Sequence, residues 1–225
     1  MEVDQFSDDE KATIEKFVEH FVFVKSIRNS YHAIFEKADH FENVYAKSAA
    51  QFFDDLNLVL NHYLYLAYSR ITEGCEDRGT GRRNLTVSLL YNLKEWGEPV
   101  HTQLTELKAE IESFRTYVRV ARNRVIGHND LETYIETPEP VGGFPAGEDV
   151  RLLDKIEQFV GIVYQCAFQE PFGPIVTTNR GDVWDLRRML VYGLALEAMM
   201  NDKNSSIDSL VFDRYIQQVM KRPSL

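Results

Sequence analysis

Residues 104–128 read LTELKAEIESFRTYVRVARNRVIGH. Leu104, Leu107, Ile111, Phe114, Val118, Ala121 and Val125 step 3-4-3-4-3-4 along them, the spacing that lines apolar side chains on one face of an α-helix. A seam of this length has to be buried against other helices, because an isolated helix gains little from propensity alone. Gly127 and the polar His128-Asn129-Asp130 end it.

The same period recurs on both sides. Residues 1–73 contain neither glycine nor proline, as expected of long helices joined by short polar turns. Ser7-Asp8-Asp9-Glu10 reads as a capping box. Behind it Ile14, Phe17, Phe21 and Val24 recur at helical spacing, with a shorter continuation through Tyr31, Ile34 and Phe35. Asp39-His40 interrupts, and a second long helix follows with Phe53, Leu56, Leu60, Leu64, Ala67 and Ile71 on one face and Gly74 at its C-terminal cap. A loop, EDRGTGRR, precedes a short helix at about 84–96 with Asn84 as its N-cap. Beyond 150, Leu153, Ile156, Val160, Val163 and Ala167 mark one helix, and Leu186, Met189, Gly193, Leu196 and Met200 mark another. A last amphipathic helix is expected at about 206–221. No segment alternates with period two between hairpin turns. The expectation is all-α: a helical bundle of long amphipathic helices with one long irregular loop at about 131–149, which holds three of the seven prolines. The 225 residues fit one domain with an elaborated C-terminal helical part at about 150–225.

Composition narrows the function. With 25 basic and 35 acidic residues the net charge is −10, which argues against coating nucleic acid by bulk charge. No run approaches the ~18 apolar residues of a membrane helix. MEVDQFSDDE is acidic and carries no apolar signal core, so a cytoplasmic location is expected. Cys75 and Cys166 form no CxxC pair, and no other metal-ligand spacing occurs. Gly79-Thr80-Gly81 is a lone GxG, best read as a turn. Glu98-xx-His101 is half of a di-iron bundle motif whose other half is missing, which leaves a solvated helix start. Neither metal nor cofactor is expected.

One segment stands apart from this acidic background. Four arginines and no acid lie between Glu112 and Asp130. Arg115, Arg119 and Arg122 fall at i, i+4 and i+7 and form one stripe. Like charges so stacked repel by a few tenths of a kcal/mol per pair, unless a partner neutralises them. That partner is either a phosphate backbone or acids on neighbouring helices. His128 follows at the helix end, with Arg122, Asn123 and Arg124 in the turns before it. Imidazole exchanges protons near neutral pH, and guanidinium holds and stabilises phosphate, so the group has the parts for metal-free RNA cleavage. A histidine capping the helix end is the plainer alternative.

Arg122-Asn123-Arg124-Val125-Ile126-Gly127-His128 resembles the Arg-polar-x(3–5)-His signature of the HEPN superfamily, all-helical domains of many prokaryotic toxin and abortive-infection systems. Its extension to His-Asn-Asp resembles the AbiU-like branch. The long aromatic-rich helix FFDDLNLVLNHYLYLAYSRIT and the turn to Asn84-Leu85-Thr86 agree, and the likeness spans about residues 40–130. Gly127 departs from the expected alanine. The resemblance implies a homodimer whose motifs face each other across a two-fold axis. It also implies metal-independent endoribonuclease activity in many members, with others serving as non-catalytic nucleotide- or protein-binding modules. By this likeness Arg122 and His128 match the catalytic pair and Asn123 the polar residue between them. Six steps of ideal helix, about 600°, leave Arg122 and His128 some 120° apart, so they converge only if the last turn unwinds or a second protomer contributes one. Arg124 is the reserve for Arg122, and Arg115, Arg119 and Arg124 are the expected nucleic-acid-binding residues. An antitoxin or neighbouring partner protein is compatible with such a reading; a membrane is not.

Overall fold

A computed structural model describes residues 6–36, 42–76, 79–121, 143–176 and 182–201. The fold is all-α, a helical bundle. Its helices are α1 (Asp8–Tyr31), α2 (Glu42–Thr72), α3 (Val87–Tyr91), α4 (Val100–Ser113), α5 (Arg115–Ala121), α6 (Glu148–Phe168) and α7 (Val183–Asn201), with a π-helical turn at His32–Glu36 after α1. Among the described residues no strand forms, and one isolated antiparallel bridge joins Glu76 to Arg83. No described helix is long and apolar enough to cross a membrane. The expected helix at 206–221 lies outside the described residues, as does most of the 131–149 loop.

Two compact units share the chain. The first comprises Met1–Asn29 and Leu58–Thr178, the second Ser30–Asn57 and Asn179–Leu225.

In the first unit the capping box forms as the sequence predicts. The Ser7 amide donates to the Glu10 carboxylate at 2.7 Å, and the Glu10 amide donates back to Ser7 Oγ at 3.3 Å. From there α1 buries Ile14, Phe17, Phe21 and Val24 completely. The same unit also buries Leu64, Ala67, Tyr68 and Ile71 of α2, Leu104 and Ile111 of α4, and the Ile156, Phe159, Val160 and Val163 face of α6. Each of the Val, Leu, Ile and Phe side chains among them contributes about 1.5–3 kcal/mol through burial. Arg28 of α1 is buried with them and pairs through Nε with Asp149, a carboxylate in the first turn of α6.

Three local expectations are corrected. The short helix starts at Val87 rather than Asn84, because Thr86 is the residue in extended conformation and its Oγ1 accepts from the Leu89 amide at 3.1 Å. Asn84 is held back in the preceding loop, its amide donating to the Cys75 carbonyl at 2.8 Å. Gly74 is no left-handed cap, since only Gly81 and Gly147 among the described glycines have positive φ. Instead the Thr72 hydroxyl donates to the Tyr68 carbonyl at 2.8 Å and satisfies the end of α2.

The third correction is in the second unit. Ile34, Tyr45 and Phe53 form its core, packed by Phe35, Leu56, Val183 and Leu190. Helix α7 therefore turns its Val183, Arg187 and Leu190 side inward, not the predicted Leu186–Met189–Gly193 stripe. Leu186 is 42% and Met189 64% exposed, and Trp184 and Tyr192 are exposed with them. Arg187 sets this register: it is buried and donates through Nη1 to the Ala33 carbonyl at 2.8 Å, in the π-helical turn. A guanidinium committed to a backbone acceptor outweighs an alternative face of similar hydropathy, because losing a buried hydrogen bond to a charge costs about 1.5–3 kcal/mol.

Candidate nucleic-acid interface

The arginine stripe begins where α4 gives way to α5. The predicted single helix is broken at Phe114, where the Phe114 amide bonds Ile111 O at 3.3 Å and the Tyr117 amide bonds Phe114 O at 3.0 Å. These are i→i−3 bonds of a tightened turn. Local hydroxyls promote it: Ser113 Oγ donates to Glu110 O at 2.6 Å and Thr116 Oγ1 to Ser113 O at 2.9 Å. The seam nonetheless continues through the break, with Phe114 and Val118 buried.

Phe114 is gripped by aromatic rings. Its centroid lies 5.7 Å from Tyr68 in edge-on geometry, 5.5 Å from Tyr117 and 5.2 Å from Phe144. Phe144 also meets Tyr65 at 5.4 Å. Phe144 belongs to the proline- and glycine-rich segment read from sequence as irregular, and its anchoring role was missed. The available signal was a lone aromatic in a segment otherwise built of turn residues. Both ends of the stretch carrying the motif are thus fixed, at Phe114–Val118 on one side and at Phe144 with the first turn of α6 on the other.

With Phe114 and Val118 inward, Arg115 and Arg119 stand one turn apart on the solvent side of α5. Among the described residues neither forms an ion pair. The nearby acids are already engaged. Glu110 takes Lys155 at 2.9 Å and Arg151 at 3.8 Å, and Glu112 takes Lys108 at 2.9 Å. A cleft of about 350 Å³ beside α5 is lined by Glu110, Ser113, Thr116, Tyr117, Arg151 and Lys155. Its mixed, internally paired charge makes it a poor anion site by itself, whereas the exposed α5 arginines present donors that no described acid neutralises.

No family model, curated protein or solved structure matches this chain.

Arg122, Asn123, Arg124 and His128 lie outside the described residues, so the structure brings together Arg115 and Arg119 of the expected set. The Glu98–His101 pair does form, at 3.3 Å, together with partners the sequence spacing did not reveal.

Proposed function

We propose that this chain is a HEPN-like, cytoplasmic, homodimeric endoribonuclease of toxin or abortive-infection type that needs no metal. The observation carrying the reading is the pair Arg115 and Arg119, exposed at the head of the Arg-Asn-x4-His motif and free of ion pairs among the described residues. Had the stripe been internal scaffolding, these two arginines would be spent on neighbouring acids. In this mechanism the RNA 2′-hydroxyl attacks the adjacent phosphate, His128 moves the proton as general base or acid, and Arg122 stabilises the charge developing on the phosphate oxygens. Asn123 orients them, while Arg115, Arg119 and Arg124 guide the backbone. The net charge of −10 favours a second reading, a non-catalytic dimeric module that binds a nucleotide or a protein through the same residues.

The test is cleavage of single-stranded RNA in EDTA. Cleavage by the wild type, a loss of about 10²–10⁴-fold in His128→Ala, and a comparable loss in Arg122→Ala are expected. Equal cleavage by wild type and His128→Ala overturns the assignment. Light scattering should return twice the 26.1 kDa chain mass; a monomer at micromolar concentration removes the composite cleft.

A further inference from the structure

Where α3 meets α4, a phenol, an imidazole and a carboxylate stand in line. Tyr91 Oη lies 3.0 Å from His101 Nε2, and His101 Nδ1 faces Glu98 Oε1 at 3.3 Å. Thr102 Oγ1 donates to Glu98 Oε2 at 2.8 Å, which fixes the carboxylate with its other oxygen toward the ring. Tyr91 is itself held: the Trp96 indole N–H donates to its carbonyl at 2.6 Å, and Lys108 Nζ sits 5.4 Å from its ring centroid. A nucleophile in hydrogen-bond reach of a base, with the base oriented by a third group, is the geometry of an activated hydroxyl.

Tyr91 Oη also lies 2.8 Å from Thr105 Oγ1, and Thr105 Oγ1 lies 2.7 Å from the His101 carbonyl as donor. Tyr91 and Thr105 each have one hydroxyl proton. When Thr105 gives its proton to the carbonyl, Tyr91 gives its own to Thr105, and a doubly protonated His101 donates to both Tyr91 and Glu98. When Thr105 turns its proton to Tyr91, the phenol donates to a neutral His101 whose Nδ1–H faces Glu98. The two arrangements differ by two hydroxyl rotations and by one proton on His101 Nε2, which leaves for solvent or a substrate oxygen, and no heavy atom needs to move. The imidazole can therefore take the phenolic proton as the oxygen attacks.

These groups open into a cleft of about 550 Å³ lined by Tyr91, Asn92, Lys94, Glu95, Trp96 and His101. A lysine and an indole on its wall suit a phosphate ester bearing a flat aromatic group. We propose that Tyr91 is a nucleophile toward phosphodiesters at this second site, with His101 as its base and Glu98 as the positioning residue. In the step, Tyr91 Oη forms a bond to phosphorus and the bond to the leaving oxygen breaks. The phenolic proton passes to His101 and from there to the leaving group. Water then attacks phosphorus and gives a proton to His101, the bond from phosphorus to Tyr91 Oη breaks, and His101 returns that proton to the phenolate to restore Tyr91.

The probe is bis(4-nitrophenyl) phosphate, which has no 2′-hydroxyl and so cannot be turned over by the RNA chemistry proposed for Arg122 and His128. Release of 4-nitrophenolate is expected, with an acid-quenched phosphoryl adduct mapped to Tyr91 by mass spectrometry. Tyr91→Phe keeps the ring packing and should abolish both. His101→Gln should slow release by about 10²-fold or more. Glu98→Gln should slow it less and move the pH profile, to which Lys94 and Glu95 on the cleft wall and the Lys108–Glu112 pair beside the Tyr91 ring also contribute charge. Absence of an adduct at Tyr91 in the wild type, or equal release by Tyr91→Phe, overturns the proposal.

Discussion

Removing one partner of the Arg28–Asp149 pair should destabilise this protein more than most single substitutions. Both side chains are almost fully enclosed, 7% and 6% exposed, and the pair joins α1 to the first turn of α6. Desolvating two ions costs several kcal/mol each, which mutual attraction offsets only while both are present. Arg28→Met keeps the aliphatic stem but takes the guanidinium from the carboxylate, and Asp149→Leu takes the buried carboxylate from the guanidinium. Each should cost about 3–5 kcal/mol, against a total of about 5–15 kcal/mol for a typical domain. The double variant removes both charges of the pair and should cost less than the two single variants combined. Urea denaturation of the four proteins at pH 7, with m-values compared, closes the cycle. Salt should change the result little, since buried pairs are weakly screened. If the double variant is as unstable as the sum of the singles within about 0.5 kcal/mol, the two groups do not interact and the reasoning fails.

Ser7→Ala removes one side of the capping box and should cost about 0.5–2 kcal/mol by urea melts. Ser7's backbone N–H, and to a lesser degree its hydroxyl, hold the Glu10 carboxyl below its usual range, so that stability is present above the ordinary carboxylate pKa and fades as pH falls through the lowered one, and since alanine keeps the N–H the variant should retain most of this slope and lose only the hydroxyl's share. Burial, and secondarily the Arg70 charge, depress the His20 pKa, so the unfolded chain binds a proton first; stability should fall as pH drops below about 6.5, and His20→Gln should flatten that limb of a pH–stability curve. Arg115→Ala and Arg119→Ala should each stay within about ±0.5 kcal/mol in stability while reducing the salt dependence of RNA binding, because each side chain is exposed and free of ion pairs among the described residues.

The helices of the first unit were legible because one physical signal sufficed. Ile14, Phe17, Phe21 and Val24 have no competing face, and the structure buries each of them completely. The same holds for Leu104, Ile111 and Val118. Helix α7 was misread because its apolar residues surround the axis, so periodicity did not select a side; a buried arginine did. The cap of α3 was misread because Asn84 and Thr86 are both good caps by type, and the choice was made by the loop that holds Asn84 to Cys75. Of the candidate site, the exposure of Arg115 and Arg119 was readable from their offset to Phe114 and Val118. The aromatic grip of Phe144 on Phe114, and the meeting of Tyr91 with His101, depend on contacts between residues far apart in sequence or across a helix junction, which spacing does not encode.

The two compact units are interleaved along the chain, first, second, first, second, and this limits how such a protein can be inherited. A single recombination between two coding sequences cannot exchange either unit whole. One falling after Thr178 would bring in a foreign α7 while keeping the native Ser30–Asn57 stretch, so Val183, Arg187 and Leu190 of one lineage would meet Ile34, Tyr45, Phe53 and the Ala33 carbonyl of another. Those two stretches, some 120 residues apart, are therefore bound to diverge together.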